Sequence, residues 1–291
     1  MMRLKRSHLV ATLAVASLVA VSAAPSSSAV RMPRVSPAAS VSQDLGFTTI
    51  KIQYHRPGVK GRKIWGGLVP YGQIWRLGAN NATTISFNTP VTIGGTELAA
   101  GTYALFAVPG EAKWQFVLNS QGEQWGAFSH KAELDVAKVD GVPRAGGNTE
   151  WMEFTISPTG EGTATVQMAW EKLTVGFPIE VDVRRLVWAE IDKALGDNPK
   201  DADALLVAAR YANETGERLD QAIDWIDTGL NVKESFWFYD TKAALLVRAG
   251  RPQEAAPLLD KVLELAPKAG APQEYVDGIR KRAAELMIKK P

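Results

Sequence analysis

The hydrophobic period of this chain changes once, near residue 183, and that change limits the fold more than any other feature. Before it, apolar and polar residues alternate over short stretches such as 49–54 and 113–119, which is typical of strands with one buried face. After it, apolar residues recur at helical spacing, and Gly and Pro are confined to the breaks between segments. The sequence therefore predicts an all-β domain at 43–182 and an all-α domain at 183–291.

The first domain is expected to be an antiparallel β-sandwich or barrel. At least seven short strand-like segments lie between residues 43 and 182, and such dense strands favour these architectures. Residues 91–98 predict a hairpin, because the adjacent Gly94 and Gly95 supply the positive φ of a primed turn. Residues 103–108 are apolar on both faces, as expected of a central strand.

The N-terminus has the pattern of a secretory signal peptide. Arg3, Lys5 and Arg6 precede an uncharged run at 9–20, and small residues follow. We expect a signal peptide at 1–29, cleaved between 23 and 29, and then a linker at 30–42. The apolar run is shorter than the roughly 20 residues that span a bilayer core, so no stable membrane insertion is expected. The mature protein, which has no cysteine, is expected in the periplasm or outside the cell.

Cleavage would also remove the excess positive charge. The whole chain has 33 Lys and Arg against 31 Asp and Glu, and loss of the three cations of the leader leaves 30 against 31. A near-neutral protein has no overall field that attracts a polyanion. We therefore expect no nucleic-acid partner.

The second domain is predicted to contain six helices, at about 186–195, 201–216, 218–231, 236–249, 253–266 and 272–289. Gly216 and Gly250 are 34 residues apart, and each is followed by a polar turn, an Ala and a Leu-rich helix. This arrangement resembles the tetratricopeptide repeat, whose helix pairs recur at that period. The second unit matches better, since the first has an extra residue before Ala222 and no closing proline. The resemblance implies a helical-hairpin array that binds a protein partner.

A series of motifs in the β domain carries a second resemblance. The chain has Arg-Pro-x-x-Lys-Gly-Arg at 56–62, Leu-Val-Pro-Tyr-Gly at 68–72 and Trp-Arg-x-Gly-Ala-Asn at 75–80, followed by Ala-Gly-Thr-Tyr at 100–103 and Gln-Trp-Gly-Ala at 124–127. From about residue 36 to 180 the chain resembles domain-of-unknown-function family 2911. The resemblance implies no activity. The family pattern usually has Glu where this chain has Asn81, so an acid acting there in relatives would be missing here.

The region between Asp44 and Glu97 contains no acidic residue but six basic ones. Arginines beside glycines can hold a carboxylate or phosphate, and Trp65, Tyr71 and Trp75 could serve as platforms for sugar rings. We therefore predict a groove for an anionic or saccharide ligand. The candidate contacts are His55, Arg56, Lys60, Arg62, Trp75, Arg76, Asn80 and Asn81. The alternative is a structural loop, with the Trp residues in the core and the Arg side chains packed along it.

The sequence offers no recognisable catalytic centre. His55 and His130 stand outside any metal-binding spacing, and no nucleotide, cofactor or nucleophile motif is present. We predict no catalytic residue, metal or cofactor, and interpret the chain as an exported ligand-binding or protein-interaction scaffold of the cell envelope. The alternative is a hydrolase or sugar-processing enzyme with its site in the loops at 55–81. Glu150, Glu153 and Glu171 are then acids of the right type.

Overall fold

The computed structural model describes residues 32–288. The predicted signal peptide at 1–29 lies outside this range. Within it, an antiparallel β domain is followed by six helices, which confirms the fold class inferred from the change of period. None of the described helices is long and apolar enough to cross a membrane.

The β domain consists of ten strands in two antiparallel sheets. One sheet has the order β1-β2-β3-β6-β7-β8 and the other β5-β4-β10-β9. The bounds are β1 Ala38–Leu45, β2 Thr48–His55, β3 Thr83–Phe87, β4 Val91–Ile93, β5 Thr96–Leu98, β6 Gly101–Val108, β7 Trp114–Asn119, β8 Asp135–Gly141, β9 Arg144–Gly160 and β10 Thr163–Glu180, with a short 3-10 turn at Ala132–Leu134.

The two sheets share one core because each strand turns its apolar face inward. In β2, Ile50 and Ile52 are fully buried, whereas Lys51 and Gln53 face solvent. The Tyr54 hydroxyl accepts a hydrogen bond from the Phe154 N–H at 3.1 Å, which ties β2 to β9 across the sandwich.

Two local features bear on the sequence analysis. Gly94 and Gly95 have φ values of 59° and 78°, so the β4–β5 turn is the hairpin that their adjacency predicts. Strand β1 begins at Ala38 and pairs with His55 of β2, so residues 38–42, assigned to the linker, are part of the sheet. These small residues give a weak hydrophobic signal, and the pairing with β2 makes them a strand.

The helices are α1 Val183–Asp197, α2 Ala202–Thr215, α3 Leu219–Val232, α4 Phe236–Arg248, α5 Pro252–Lys268 and α6 Gln273–Ile288. Asp201 caps α2 by accepting from the Asp203 and Ala204 N–H groups. Pro257 and Pro267 lie inside α5, so the expectation that proline marks only the breaks is wrong for this helix. The buried face that α5 presents through Ala255, Leu259, Val262 and Ala266 outweighs the backbone hydrogen bonds that proline removes.

The two domains are joined without a flexible linker. Strand β10 ends at Glu180 and α1 begins at Val183. Val183 packs against the glycine faces at Gly46 and Gly162, and Arg185 forms an ion pair with Glu97 of β5 at 2.6 Å. The first helix therefore rests on the sandwich.

The contact between α3 and α4 generates a stability prediction. A Cβ at Gly229 would lie 2.2 Å from a ring carbon of Phe238, which is 1% exposed. Because Phe238 cannot yield without moving α4, Gly229→Ala should destabilise the helical domain by about 1–3 kcal/mol. Urea unfolding followed by circular dichroism at 222 nm measures this effect.

Gly278 of α6 provides the matched control. A Cβ there meets no atom within 4 Å, so Gly278→Ala should gain up to about 1 kcal/mol from helix propensity alone. Equal unfolding midpoints for Gly229→Ala and the unchanged protein would contradict the packing described here.

Candidate functional site

A tight turn at 59–62 begins the candidate site. The Arg62 N–H donates to the Val59 carbonyl at 3.1 Å, and Lys60 and Gly61 between them have φ values of 50° and 67°. Two successive positive φ values define a type I′ turn. Gly61 adopts this conformation freely, whereas Lys60 must be held in it by its surroundings.

Strand β9 holds the turn in place. The Glu150 carboxylate accepts from the Lys60 N–H at 2.9 Å, and the Glu150 carbonyl accepts from the Val59 N–H at 2.9 Å. The Met152 N–H donates to the Pro57 carbonyl at 3.1 Å. A strand some 90 residues away in sequence therefore fixes the turn at 59–62, which we call the basic loop.

A cavity of about 240 Å³ opens beside this turn. Its polar side chains are those of Ser36, Lys60, Arg62 and Arg76. No carboxylate or imidazole belongs to the part of its lining that the structure describes. We call this cavity, with these four residues, the basic pocket.

Arg76 is the most buried cation of the basic pocket. Its Nε atom is inaccessible to solvent and has no hydrogen-bond partner among residues 32–286. Burial lowers the pKa of its guanidinium from the ordinary arginine value, yet the group remains charged at neutral pH because that value is so high. The pocket thus partly buries a positive charge, and no carboxylate of its described lining offsets the desolvation.

Tryptophan side chains form the floor of the pocket. Trp75 and Trp170 line it and stack on each other, with centroids 5.9 Å apart and planes at 17°. Trp65 packs edge-on against both, at 6.0 and 5.7 Å, and Trp114 lies 5.1 Å from Trp65. This four-tryptophan cluster gives the basic pocket a rigid floor of low polarity.

The structure brings together only some of the residues predicted from the sequence. Lys60, Arg62, Trp75 and Arg76 all line the basic pocket. Two nitrogens of the Arg62 guanidinium donate hydrogen bonds to the carbonyls of Gly58 and Val59. Arg62 therefore stabilises the turn as well as forming part of the pocket wall.

Arg56 lies outside the pocket lining and braces β9. Its guanidinium donates to the Met152 carbonyl at 2.8 Å and the Trp151 carbonyl at 3.2 Å, and it pairs with Glu153 at 3.2 Å. Three of its five N–H donors are thus used and its charge is paired with Glu153, so Arg56 holds the backbone of β9.

His55, Asn80 and Asn81 form a neighbouring polar cluster. The Arg34 guanidinium lies 3.4 Å from His55 Nε2 and donates to Asn81 Oδ1 at 3.0 Å. The Asn80 amide donates to the Ser36 carbonyl at 3.3 Å. These residues hold the segment at 34–36 against the sandwich, and Ser36 in turn lines the pocket.

The second histidine belongs to a different network. His130 Nε2 is 2.8 Å from Asp135 Oδ1, and the buried Asn119 amide donates to the same carboxylate oxygen at 2.9 Å. This network anchors the loop between β7 and β8.

Sequence reasoning missed part of the site and placed two aromatic rings differently. Trp170 and Ser36 line the pocket, but in the sequence they lie far from the loops at 55–81. No local sequence signal marks them as site residues. Trp65 packs against the core and Trp75 is only 9% exposed, so neither ring is an open platform. Among the described residues, no group of three or more His, Cys, Asp or Glu is placed to hold a metal.

Comparison with known proteins identifies the β domain alone. Residues 36–179 match the family model described as "Protein of unknown function (DUF2911)". No curated protein and no solved structure is significantly similar to the chain.

The polar cluster at His55 generates a pH prediction. Burial, and then the charge of Arg34, lower the pKa of His55 from 6.5. The unfolded chain therefore binds the extra proton more readily, and stability should fall as the pH drops below about 6.5. Arg34→Gln should raise the pKa of His55 toward its ordinary value, as measured by NMR titration of the imidazole.

The His130 resonances, which report on a separate network, should be the same in both proteins. An unchanged His55 titration in Arg34→Gln would show that Arg34 does not act on this imidazole.

Proposed function

Because residues 36–179 belong to the DUF2911 family, whose activity is unassigned, we propose a function from the site itself: the β domain binds a small anionic ligand in the basic pocket. The observation that carries this proposal is Arg76, a partly buried cation whose Nε atom is inaccessible to solvent and has no hydrogen-bond partner among the described residues. The signal-peptide pattern at 1–29 supports an extracytoplasmic location for this proposed activity.

The electrostatics of the pocket favour an anion. Lys60, Arg62 and Arg76 contribute three positive charges, and the tryptophan floor lowers the local polarity, which strengthens the field inside a cleft. A carboxylate or phosphate would recover the interaction that Arg76 loses on burial, because guanidinium binds such groups through paired hydrogen bonds.

A compact, charged ligand fits better than a neutral sugar. Sugar hydroxyls both donate and accept hydrogen bonds, whereas the polar side chains of the pocket, apart from the Ser36 hydroxyl, only donate. A volume of about 240 Å³ corresponds to about eight water molecules at ~30 Å³ each. The pocket therefore suits one charged group with a small body.

Hydrolysis at the same loops would need a proton donor or acceptor beside the ligand. Glu150 is the carboxylate next to the pocket turn, but its oxygen accepts the Lys60 N–H and its side chain is exposed. This arrangement anchors the loop, so we favour binding over catalysis.

Arg76→Met tests the proposal, because it removes the charge but keeps an unbranched side chain that reaches the ε position. Calorimetry with galacturonate, acetate and inorganic phosphate should show binding, and galactose, which lacks the carboxylate, should not bind. A charge-assisted hydrogen bond contributes about 1.5–3 kcal/mol, so Arg76→Met should weaken anion binding roughly 10- to 100-fold.

Lys51→Met is the matched control, because it removes a cation from the outer face of β2 and should leave binding unchanged. Equal affinity of Arg76→Met and the unchanged protein, or galactose binding as tightly as galacturonate, would refute the anion pocket.

The helical domain supports a second candidate function, the binding of an acidic segment of a protein partner. A groove of about 480 Å³ lies between α2, α4 and α6. Its walls include Val247, which is 44% exposed, and the charged Arg248, Arg282 and Glu285. Among the described residues, Arg248 makes a single hydrogen bond, to the Glu214 carbonyl at 3.3 Å, so its charge remains available to a carboxylate. Arg282 is paired with Asp240, so Arg248 is the cation of the groove that would meet an acidic, amphipathic segment.

Photo-crosslinking from the groove tests this second function. Benzoylphenylalanine at position 247 should give a discrete adduct with an acidic protein in envelope extract, and the added change Arg248→Glu should abolish it. The same probe at Val232, which is 53% exposed outside the groove, should give no such adduct. An adduct that persists in Arg248→Glu, or none from position 247, would contradict the proposal.

A further inference from the structure

Two partly exposed tryptophans border the basic pocket. Trp151 of β9 is 38% exposed and forms a β-bridge with Gly58, which lines the pocket. The Lys60 ammonium, also part of the lining, lies 5.7 Å from the centre of the Trp151 ring. This side of the pocket mouth therefore continues directly into an aromatic surface.

The second exposed tryptophan, Trp125, is connected to the pocket through the segment at 34–36. Trp125 is 55% exposed and forms a β-bridge with Asn81. The Arg34 guanidinium lies 5.4 Å from the centre of its ring, and the two residues that follow, Val35 and Ser36, line the pocket. Each of these two indole rings is thus paired with a cation, and each is connected to the pocket lining through neighbouring residues.

Cation–aromatic pairs on a surface can simply cover exposed rings. Here, however, the rings stay 55% and 38% exposed although the cations lie over them. A large exposed apolar surface beside a charged cavity is typical of a binding site. The cations also carry donors that a ligand lying on the rings could use.

We infer that the ligand is an acidic oligosaccharide, with one charged sugar in the basic pocket and neighbouring sugars on Trp125 and Trp151. This inference rests on the anion-binding function proposed above and names its ligand class. The apolar face of a sugar ring can lie on an indole, while its carboxylate approaches Arg34 or Lys60. A pocket of about 240 Å³ holds only one unit, so the outer surfaces would add affinity through linked subsites.

Chain length provides the test. Calorimetry should show that tetragalacturonate binds at least 10-fold more tightly than galacturonate. Trp125→Ala and Trp151→Ala should each weaken tetramer binding about 5- to 10-fold. Trp125→Ala should leave monomer binding unchanged, since the monomer reaches only the pocket. Trp151→Ala removes the ring beneath Lys60 and should weaken monomer binding less than tetramer binding. Far-UV circular dichroism checks that both variants are folded.

Trp237→Ala is the matched control, because Trp237 is 42% exposed on α4 of the helical domain. It should change neither affinity. Equal affinities for tetramer and monomer, or Trp variants that weaken both alike, would overturn the oligosaccharide inference and leave the anion pocket standing.

Two further results separate this inference from the proposed function. Tighter binding of tetraglutamate than of tetragalacturonate would replace the saccharide by an acidic peptide. Failure of galacturonate, acetate and phosphate alike to bind would remove the anion pocket itself.

Discussion

The clamp between strand β9 and the basic loop is the interaction on which the candidate site depends. Glu150 accepts hydrogen bonds from two successive N–H groups, those of Val59 and Lys60, through its carbonyl and its carboxylate. On the same strand, the Met152 N–H binds the Pro57 carbonyl, and the Met152 carbonyl binds Arg56. These contacts hold Lys60 at a positive φ, a strained conformation that a free loop would leave.

The same strand decides how the positive charges are used. Arg56 is neutralised by Glu153 and satisfied by two carbonyls, so it stabilises the scaffold. Arg76 lines the pocket with Trp75 and Trp170, and its Nε is buried without a partner among the described residues. Leaving a charged group partly desolvated and unpaired costs free energy, and an anion in the pocket would recover it. The binding proposal follows from this difference between two arginines.

The helical domain follows the β domain with no intervening linker and contacts it at the start of α1. Two residues separate β10 from α1, and the Arg185–Glu97 ion pair and the Val183 contacts fix the first helix on the sandwich. The first helix thus continues directly from the last strand of the domain that contains the basic pocket.

The sequence by itself determined the elements: the change of period near residue 183 separated strands from helices, and Gly94-Gly95 located a hairpin. It also located the basic, acid-free stretch. It could not show that Arg56 is paired within the protein whereas the Nε of Arg76 is not. It also could not identify Ser36, Trp151 and Trp170 as parts of the candidate site. Local periodicity records which face of a strand is buried, whereas the partner of each charge depends on which distant strands pair. Only the tertiary structure, by bringing β9 and β10 against the basic loop, decided which cations have a partner within the protein and which do not.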